Sequence, residues 1–266
     1  MDVLIDTDTG MGTLGSDPDD GLAIALALAS PEVTVRAITC VMGNVPLSHV
    51  YANAAHLLQV LGRTDVPLAA GAERPLLHRR DPLRWLAERA TCERVVIMGG
   101  AFEVPGNVTP TAEFNFFMDP EAAQIVLDAG VRPVLVGLDV CHRTRLAPSQ
   151  LAGTAFDTEL GRFVEHACAA WLPHTGADDG PYLYDSLTVA AALEPKLLTL
   201  EPAFVHVEPA VGTSVAWLPD RPSAWSRPAR RDNALVATDV DVDAFAAQFA
   251  ERVLAQLDRG LLSRPS

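Results

Sequence analysis

The feature that most constrains this chain is a cluster of five aspartates between two apolar runs near its start. The acids are Asp6, Asp8, Asp17, Asp19 and Asp20. The run before them, residues 3–5, is short and β-branched, which predicts a buried strand, and the Ala/Leu-rich run at 22–28 predicts a helix. The acids therefore occupy a loop at the carboxyl end of a strand, where open α/β sheets bind their ligands.

Carboxylates as close in sequence as those of this loop repel one another unless a cation lies among them. A hard divalent cation, which prefers oxygen ligands, is the economical partner. The alternative is a solvated acidic loop in which aspartates close turns and cap the following helix. Five acids bracketed by a strand and a helix favour a metal or catalytic site.

Length and charge restrict the class of protein. The chain has 266 residues, of which 49% are hydrophobic and 20% charged. This length is enough for one large α/β domain or two small ones, and we expect residues 1–266 to form a single domain. Its net charge of −14 disfavours nucleic acid as a partner, because a phosphate backbone needs clustered Lys and Arg. The short basic clusters at 78–80 and 227–231 are expected to be solvated loops.

The cysteines and the chain start bear on the compartment. The four cysteines, Cys40, Cys92, Cys141 and Cys168, are widely spaced without a CxxC pair, so we expect free thiols in a reducing compartment. Met1 leads directly into a strand without a signal peptide, and no run of eighteen apolar residues predicts a membrane span. The expected location is cytoplasmic, with no membrane partner.

Strands and helices alternate along most of the sequence. Strands are expected at 3–5, 33–40, 65–69, 94–98, 132–138, 204–208, 213–218 and 235–238, and helices at 22–28, 46–61, 81–90, 119–129, 149–171, 185–193 and 241–257. Residues 178–181 are expected to form a turn, and 219–231 a surface loop. This order predicts an α/β fold with an open, mainly parallel sheet covered by helices on both faces and a small antiparallel addition near the C-terminus.

Polar residues recur after the predicted strands. Asn44 follows the second strand, and Asn107, Glu113 and Asn115 share the loop after the fourth. In a parallel sheet such loops reach one rim, where their donors and acceptors suit a polyhydroxyl ligand such as a sugar. The alternative is that Asn and Gly close turns there.

Five stretches, together with the aspartate loop, resemble the inosine–uridine-preferring nucleoside hydrolases in the family's order. They are ITCVMGNVPL at 38–47, VVIMGGAF at 95–102, GNVTPTAEFNFFMDPEAA at 106–123, VGLDV at 136–140 and YDSLTVAAALEP at 184–195. The resemblance implies a Rossmann-like fold, an N-ribohydrolase activity on small-molecule nucleosides, a Ca²⁺ cofactor, and a homodimer or homotetramer.

The resemblance also implies residue roles. Asp8 is similar to the family's residue that ligates calcium and takes a proton from the attacking water, and Asp20 and Asp185 are similar to further calcium ligands. The positions similar to ribose-binding residues are Asp19, Asn107, Glu113 and Asn115, and those similar to pocket-wall residues are Asn44 and Met98. Asp6 is expected to hold other residues of the site in place without contacting the ligand itself.

The chain departs from the family pattern at three places. The spacer at residues 9–18 is longer, which predicts either an outward bulge or a separation of Asp8 from Asp20. Between residues 76 and 94 no counterpart exists of a family segment with a Thr-Gly-Pro-Leu-Thr-Asn-like motif, whose first Thr supplies a carbonyl to calcium. Tyr184 stands where the family usually has a His acid; Tyr184 is suited to stacking on the base, and His142 and His174 are alternative acids.

Two other functions remain open at this point. The first is a catalytically impaired ribose- or nucleoside-binding protein on the same fold. The second is a Mg²⁺-dependent phosphohydrolase of the haloacid dehalogenase type, in which Asp-x-Asp also follows the first strand. That chemistry needs a lysine in a later loop, and the single lysine of this chain, Lys196, lies in a Glu-Pro-Lys turn just past a helix.

Overall fold

A computed structural model describes residues 1–14, 16–75, 94–147, 150, 158–175, 180–218, 231–255 and 257, with the backbone alone at 172–175. Its elements in chain order are β1 (Asp2–Thr7), α1 (Asp19–Ala29), β2 (Thr34–Cys40), α2 (Leu47–Val60), β3 (Leu68–Ala70), β4 (Val96–Met98), α3 (Phe114–Met118), α4 (Pro120–Asp128), β5 (Val134–Val136), α5 (Leu138–Cys141), α6 (Glu159–Thr175), α7 (Tyr184–Leu193), β6 (Leu198–Val207), β7 (Ser214–Trp217), β8 (Ala234–Val240) and α8 (Val242–Phe249). A 3-10 turn, Pro195–Leu197, precedes β6, and a π-helical turn, Ala250–Leu254, follows α8.

Several predictions fall outside the described residues. They are the helix at 81–90, the basic clusters at 78–80 and 227–230, the turn residues 178–179, the loop at 219–230, Cys92 and the side chain of His174.

The chain divides into two compact units, each described by itself. The first comprises Met1–Arg74, Thr144–Leu197 and Asp241–Ser266, and the second comprises Pro75–Arg143 and Leu198–Val240. The single domain over residues 1–266 stays a prediction.

The first unit is built on a parallel sheet of order β1-β2-β3. β1 pairs with β2 from Asp2↔Thr34 to Thr7↔Cys40, so the carboxyl ends of both strands lie side by side. Helix α1 is buried from its first residue through Leu28, because Ala, Leu and Ile occupy all of its faces. A buried helix at this position fixes the two aspartates of its first turn, Asp19 and Asp20, below the surface.

The second unit contains a mixed sheet of order β4-β5-β8-β6-β7. β4, β5 and β8 are parallel, and β6 runs antiparallel to both β8 and β7. Phe116, Leu127, Leu135 and Val236 belong to the buried cluster that packs on this sheet. The predicted α/β class with an antiparallel addition is therefore confirmed.

Beyond shifts of a few residues at element ends, the following differences from the predicted elements have a clear physical cause. β6 begins at Leu198, six residues before the predicted strand, and pairs through Pro202↔Leu235. The predicted strand at 132–138 is shorter, because Leu138 begins helix α5. Asn115, expected in the loop after the fourth strand with Asn107 and Glu113, lies in a short helix, α3, that begins at Phe114.

The described part of the chain bears on the cysteines and on membrane spans. Cys40, Cys141 and Cys168 are buried thiols outside any disulfide bond. Of the described helices, none has the length and apolar character needed to cross a membrane.

Candidate active site

The long spacer after β1, residues 9–18, folds as a compact loop that is hydrogen-bonded to helix α2. The backbone N of Thr13 donates to the carbonyl of Gly10 at 2.8 Å, and Nδ2 of Asn53 donates to Oγ1 of Thr13 at 3.0 Å. Met11 is 1% exposed, whereas Leu14 at the tip is 81% exposed. The extra residues therefore bulge outward, the first of the two outcomes expected from the sequence.

Asn44 bridges the two aspartates that the spacer separates in sequence. Its backbone N donates to Oδ2 of Asp8 at 2.7 Å, and its Nδ2 donates to Oδ2 of Asp20 at 3.0 Å. The carboxyl groups of Asp8 and Asp20 are close enough to hydrogen-bond each other. A Cβ at Gly43 would lie 1.9 Å from Oδ2 of Asp8, so only glycine leaves room for this carboxyl group.

Asp20 is the buried member of a group of three carboxyl groups, Asp8, Asp20 and Asp185, which we call the carboxylate cluster. Burial raises the pKa of Asp20 well above its usual range, and repulsion from Asp8 and Asp185 raises it further. Oγ1 of Thr7 donates to Oδ1 of Asp20 at 2.9 Å, which opposes part of that rise. The cluster therefore concentrates oxygen atoms and negative charge where β1, α1 and α7 begin or end.

Asp19 holds the first turn of helix α7. Its Oδ2 accepts the backbone N–H of Asp185 at 2.6 Å, and its Oδ1 accepts the hydroxyl of Ser186 at 2.6 Å. The Asp19 side chain is 1% exposed, and burial together with the charge of Asp17 raises its pKa well above the usual range. Asp19 thus ties the helix that carries Asp185 to the helix that carries Asp20.

The donor chemistry of the cluster fits a hard divalent cation, since three mutually repelling carboxyl groups gain from a positive charge between them. Within the described part of the chain, no three or more His, Cys, Asp or Glu side chains are already placed to hold a metal ion together.

In the second unit, Glu113 organises the loop that precedes α3. Its Oε2 accepts the backbone N–H of Gly100 at 2.9 Å and that of Phe116 at 3.1 Å, and its Oε1 accepts that of Asn115 at 2.7 Å. Glu113 is 1% exposed. One buried carboxylate therefore caps α3 and fixes the turn after β4 at the same time.

Asn107, Asn115 and Met98 lie around the same loop. Oδ1 of Asn107 accepts the backbone N–H of Phe114 at 2.9 Å. Nδ2 of Asn115 lies 3.1 Å from the sulfur of Met98. The structure thus brings together Met98, Asn107, Glu113 and Asn115 in one unit, and Asp8, Asp19, Asp20, Asn44 and Asp185 in the other.

The remaining candidates occupy defined positions. Tyr184 is the first residue of α7, directly before Asp185. Oδ1 of Asp6 accepts the hydroxyl of Thr39 on the neighbouring strand. His142 lies at the C-terminal end of α5.

Two residues that contact the acidic side chains, Thr7 and Ser186, were not expected as contributors, and Asp17 of the acidic loop was given no role of its own. Thr7 and Ser186 donate hydroxyl groups to Asp20 and Asp19, and each directly adjoins a predicted site aspartate in sequence, which is the signal that could have revealed them. Asp17 accepts the backbone N–H of Asp19 at 3.0 Å. Burial raises the pKa of Asp17 to about 6, with the charge of Asp8 contributing.

Comparison with known proteins identifies the family. The profile described as "Inosine-uridine preferring nucleoside hydrolase" matches residues 3–87 and 86–247. The chain is 32% identical over 312 aligned positions to the non-specific ribonucleoside hydrolase RihC of Klebsiella pneumoniae, covering 94% of this chain and 97% of RihC. It is 27% identical to the pyrimidine-specific ribonucleoside hydrolase RihA of the same organism, over 95% of this chain and 98% of RihA.

The fold is also similar to that of a solved nucleoside hydrolase structure. The plant nucleoside hydrolase PpNRh1 superimposes with a TM-score of 0.79 at 26% identity, covering 96% of this chain and 99% of PpNRh1. The RihC alignment is longer than the 266-residue chain, so RihC has residues that this chain lacks. The two profile matches meet at 86–87, inside the interval 76–94 where the sequence predicts that a family segment is missing. The chain belongs to the inosine-uridine preferring nucleoside hydrolase family.

Proposed function

We propose that this protein hydrolyses the N-glycosidic bond of ribonucleosides and releases the free base and ribose. The observation that carries the proposal is the bridge of Asn44 between Asp8 and Asp20 in a chain of this family. RihC and RihA, which match nearly the whole chain, are both named ribonucleoside hydrolases.

Asp8 is the proposed general base. Its Oδ2 accepts the backbone N–H of Asn44 at 2.7 Å, and this bond orients the carboxyl group at the end of β1. In the proposed step, Asp8 takes a proton from the water that attacks the anomeric carbon. Fixing the base in advance removes part of the entropic cost of the reaction.

The proposed metal ligands are Asp8, Asp20 and Asp185, and the proposed ion is Ca²⁺, which prefers carboxylate oxygens. A bound divalent cation lowers the pKa of water and so makes a nucleophile available near neutral pH. Thr7 and Asn44 hold the two oxygens of Asp20, and Asp19 holds the helix end that carries Asp185.

The proposed ribose-binding residues are Asp19, Asn107, Glu113 and Asn115, with Asn44 and Met98 as contacts to the substrate. Cleavage of the N-glycosidic bond builds positive charge on the ribose ring, and buried carboxylates such as Glu113 stabilise developing positive charge. Because Glu113 is held by three backbone N–H groups, its position is set before substrate arrives.

Tyr184 is the proposed contact for the base. Tyr184 precedes Asp185 at the start of α7. In this proposal, a nucleobase in contact with Tyr184 therefore lies at the same end of α7 as Asp185, a proposed metal ligand. An aromatic ring offers stacking to purines and pyrimidines alike. RihC is named non-specific and RihA pyrimidine-specific, so both kinds of base belong in the test.

The test is a panel of purine and pyrimidine ribonucleosides, assayed for free reducing sugar with the wild type and with Asp8→Asn. We expect release of sugar by the wild type and a loss of about 10³-fold or more in the variant, typical of removing a general base together with a metal contact. An Asp8→Asn variant that folds and keeps full activity would contradict the role of Asp8.

A catalytically impaired nucleoside-binding protein is the second candidate, and the missing family segment favours it. Calorimetry separates the two proposals: ribose binding without release of base from any nucleoside supports the second.

We also propose that residues 1–266 act as one domain. We propose further that the protein forms a homodimer or homotetramer, and light scattering tests this oligomeric state.

A further inference from the structure

Arg145 stacks on Tyr182 close to the start of α7. Its guanidinium carbon lies 3.7 Å from the centroid of the Tyr182 ring, and one of its nitrogens donates to the Tyr182 hydroxyl. A second nitrogen, Nη1, donates to the carbonyl of Gly180 at 3.1 Å. The planar, forked guanidinium makes these contacts together, which a lysine could not do.

Tyr182 in turn contacts Tyr184. The two ring centroids are 5.2 Å apart and the rings are tilted by 38°, a favourable aromatic pair geometry. Arg145, Tyr182 and Tyr184 therefore form one row, which we call the Arg–Tyr–Tyr row. Its last member is adjacent in sequence to Asp185 of the carboxylate cluster.

The backbone around the row is held independently of these side chains. Residues 144–146 run antiparallel to 181–183: the N of Leu146 donates to the carbonyl of Pro181 at 2.9 Å, and the N of Leu183 donates to that of Thr144 at 3.1 Å. Leu146 and Leu183 are buried, whereas Arg145, Tyr182 and Tyr184 are only half-buried. Loss of the Arg145 side chain should therefore leave the local fold in place.

We propose that Arg145 and Tyr182 are positioning residues that fix the ring of Tyr184 for contact with the nucleobase and so set its affinity for the base. This inference rests on the proposed function, because it assigns how one contact of that site is held. A ring already fixed by its neighbour loses less conformational freedom when the base binds. Neither Arg145 nor Tyr182 contacts the sugar in this assignment, so their replacement should weaken binding of the nucleobase without weakening binding of ribose.

The test compares Arg145→Met, Arg145→Lys and Tyr182→Phe with a matched control, Arg63→Met. Arg63 belongs to the same unit and pairs with Asp65 instead of an aromatic ring. Two quantities are measured for each protein: KM and kcat for inosine and uridine, and the inhibition constant of free ribose, which lacks the base.

We expect both Arg145 variants to raise the nucleoside KM by about 3- to 10-fold with kcat nearly unchanged, the size expected when a contact side chain loses its fixed conformation. Tyr182→Phe, which keeps the ring pair, should raise KM by less. The ribose inhibition constant should stay within about 2-fold of wild type in all three, and Arg63→Met should leave nucleoside KM unchanged.

The inference is overturned when nucleoside KM does not change in the Arg145 variants, or when KM and the ribose inhibition constant rise by the same factor, which indicates general damage. Failure of the proposed function is a different result: the wild type then releases no base from any nucleoside. Binding of free base by the wild type but not by Arg145→Met would, in that case, still support the positioning role.

Discussion

Replacing Asp19 by asparagine should weaken calcium binding even though Asp19 is not among the proposed metal ligands. Both oxygens of Asp19 accept hydrogen bonds from the first turn of α7, at 2.6 Å from the Asp185 backbone and 2.6 Å from the Ser186 hydroxyl. Asparagine keeps the shape but turns one acceptor into a donor; the Ser186 hydroxyl can accept from it, but the Ser186 backbone N–H, 3.4 Å from Oδ1 of Asp19, cannot. The first turn of α7 is then held less firmly, and with it the carboxyl group of Asp185, a proposed metal ligand.

The expected loss follows from the kind of contact removed. Groups that hold metal ligands in place typically contribute 10- to 100-fold to metal affinity, so we expect a calcium dissociation constant raised by about 10- to 100-fold, or ~1.4 to 2.7 kcal/mol. Ser186→Ala removes one of the two bonds without altering charge, so its effect should be smaller, about 3- to 10-fold.

Calcium titration by calorimetry measures both variants, and Asp241→Asn serves as the control. Asp241 also caps a helix, accepting the backbone N–H of Ala244 at 3.0 Å, but it is not placed in the proposed site. Because asparagine caps a helix about as well as aspartate, this variant should keep nearly the wild-type unfolding free energy and the wild-type calcium affinity. Wild-type calcium affinity in folded Asp19→Asn would refute the reasoning.

Three further predictions concern the supports of the site. Gly43→Ala should lower kcat/KM by about 100-fold with a nearly normal melting temperature, because a Cβ 1.9 Å from Oδ2 of Asp8 displaces the proposed base; unchanged kinetics would contradict this placement. Thr7→Val, which removes the 2.9 Å bond to Asp20, should weaken calcium binding by about 10-fold in the same titration, and tighter binding would count against it. Glu113→Ala leaves three backbone N–H groups without their acceptor and should cost about 3 to 5 kcal/mol in urea unfolding, whereas Asn107→Ala should cost about 1 kcal/mol; equal costs would show that Glu113 is not the organiser of its loop.

The elements with a clear hydrophobic period were predictable from sequence. The Ala/Leu-rich run of α1 and the alternating run of β2 gave their elements directly, because burial selects for apolar side chains at fixed intervals. The start of β6 was missed because Glu201 and Pro202 interrupt the apolar pattern of an otherwise regular strand. Pro202 lies where β6 pairs with β8 alone, since the pairing with β7 begins at Phe204, and proline is found in sheets where one side of a strand is unpaired.

The residue types of the site were also predictable, but their contacts were not. Asp8, Asp20 and Asn44 stand out as polar residues after strands, yet the sequence gives no sign that one asparagine bridges two aspartates. Asp19 and Glu113 were expected to bind ribose, and this role stays a prediction. The structure adds that each side chain accepts backbone N–H groups from a distant part of the sequence: Asp19 from Asp185, and Glu113 from Gly100. Such contacts depend on tertiary geometry, which local patterns do not encode.

The short helices and the spacer loop illustrate the same limit. Helix α3 has only five residues, too few for a helical period, and is defined by the cap that Glu113 supplies. Whether the spacer would separate Asp8 from Asp20 could not be decided from its glycines alone. The outward bulge depends on Asn53 of α2, more than thirty residues away, which binds the loop through Thr13.

Calcium dependence of nucleoside hydrolysis tests the central claim most directly. The protein is stripped with a chelator, and inosine and uridine are then incubated with it over a series of free Ca²⁺ concentrations while free ribose is measured as reducing sugar. The cluster of Asp8, Asp20 and Asp185 predicts negligible release without calcium and a saturable rise as calcium is restored, with the curve displaced to higher calcium in Asp185→Asn. Full activity in the stripped protein, or no release at any calcium concentration, would contradict the account.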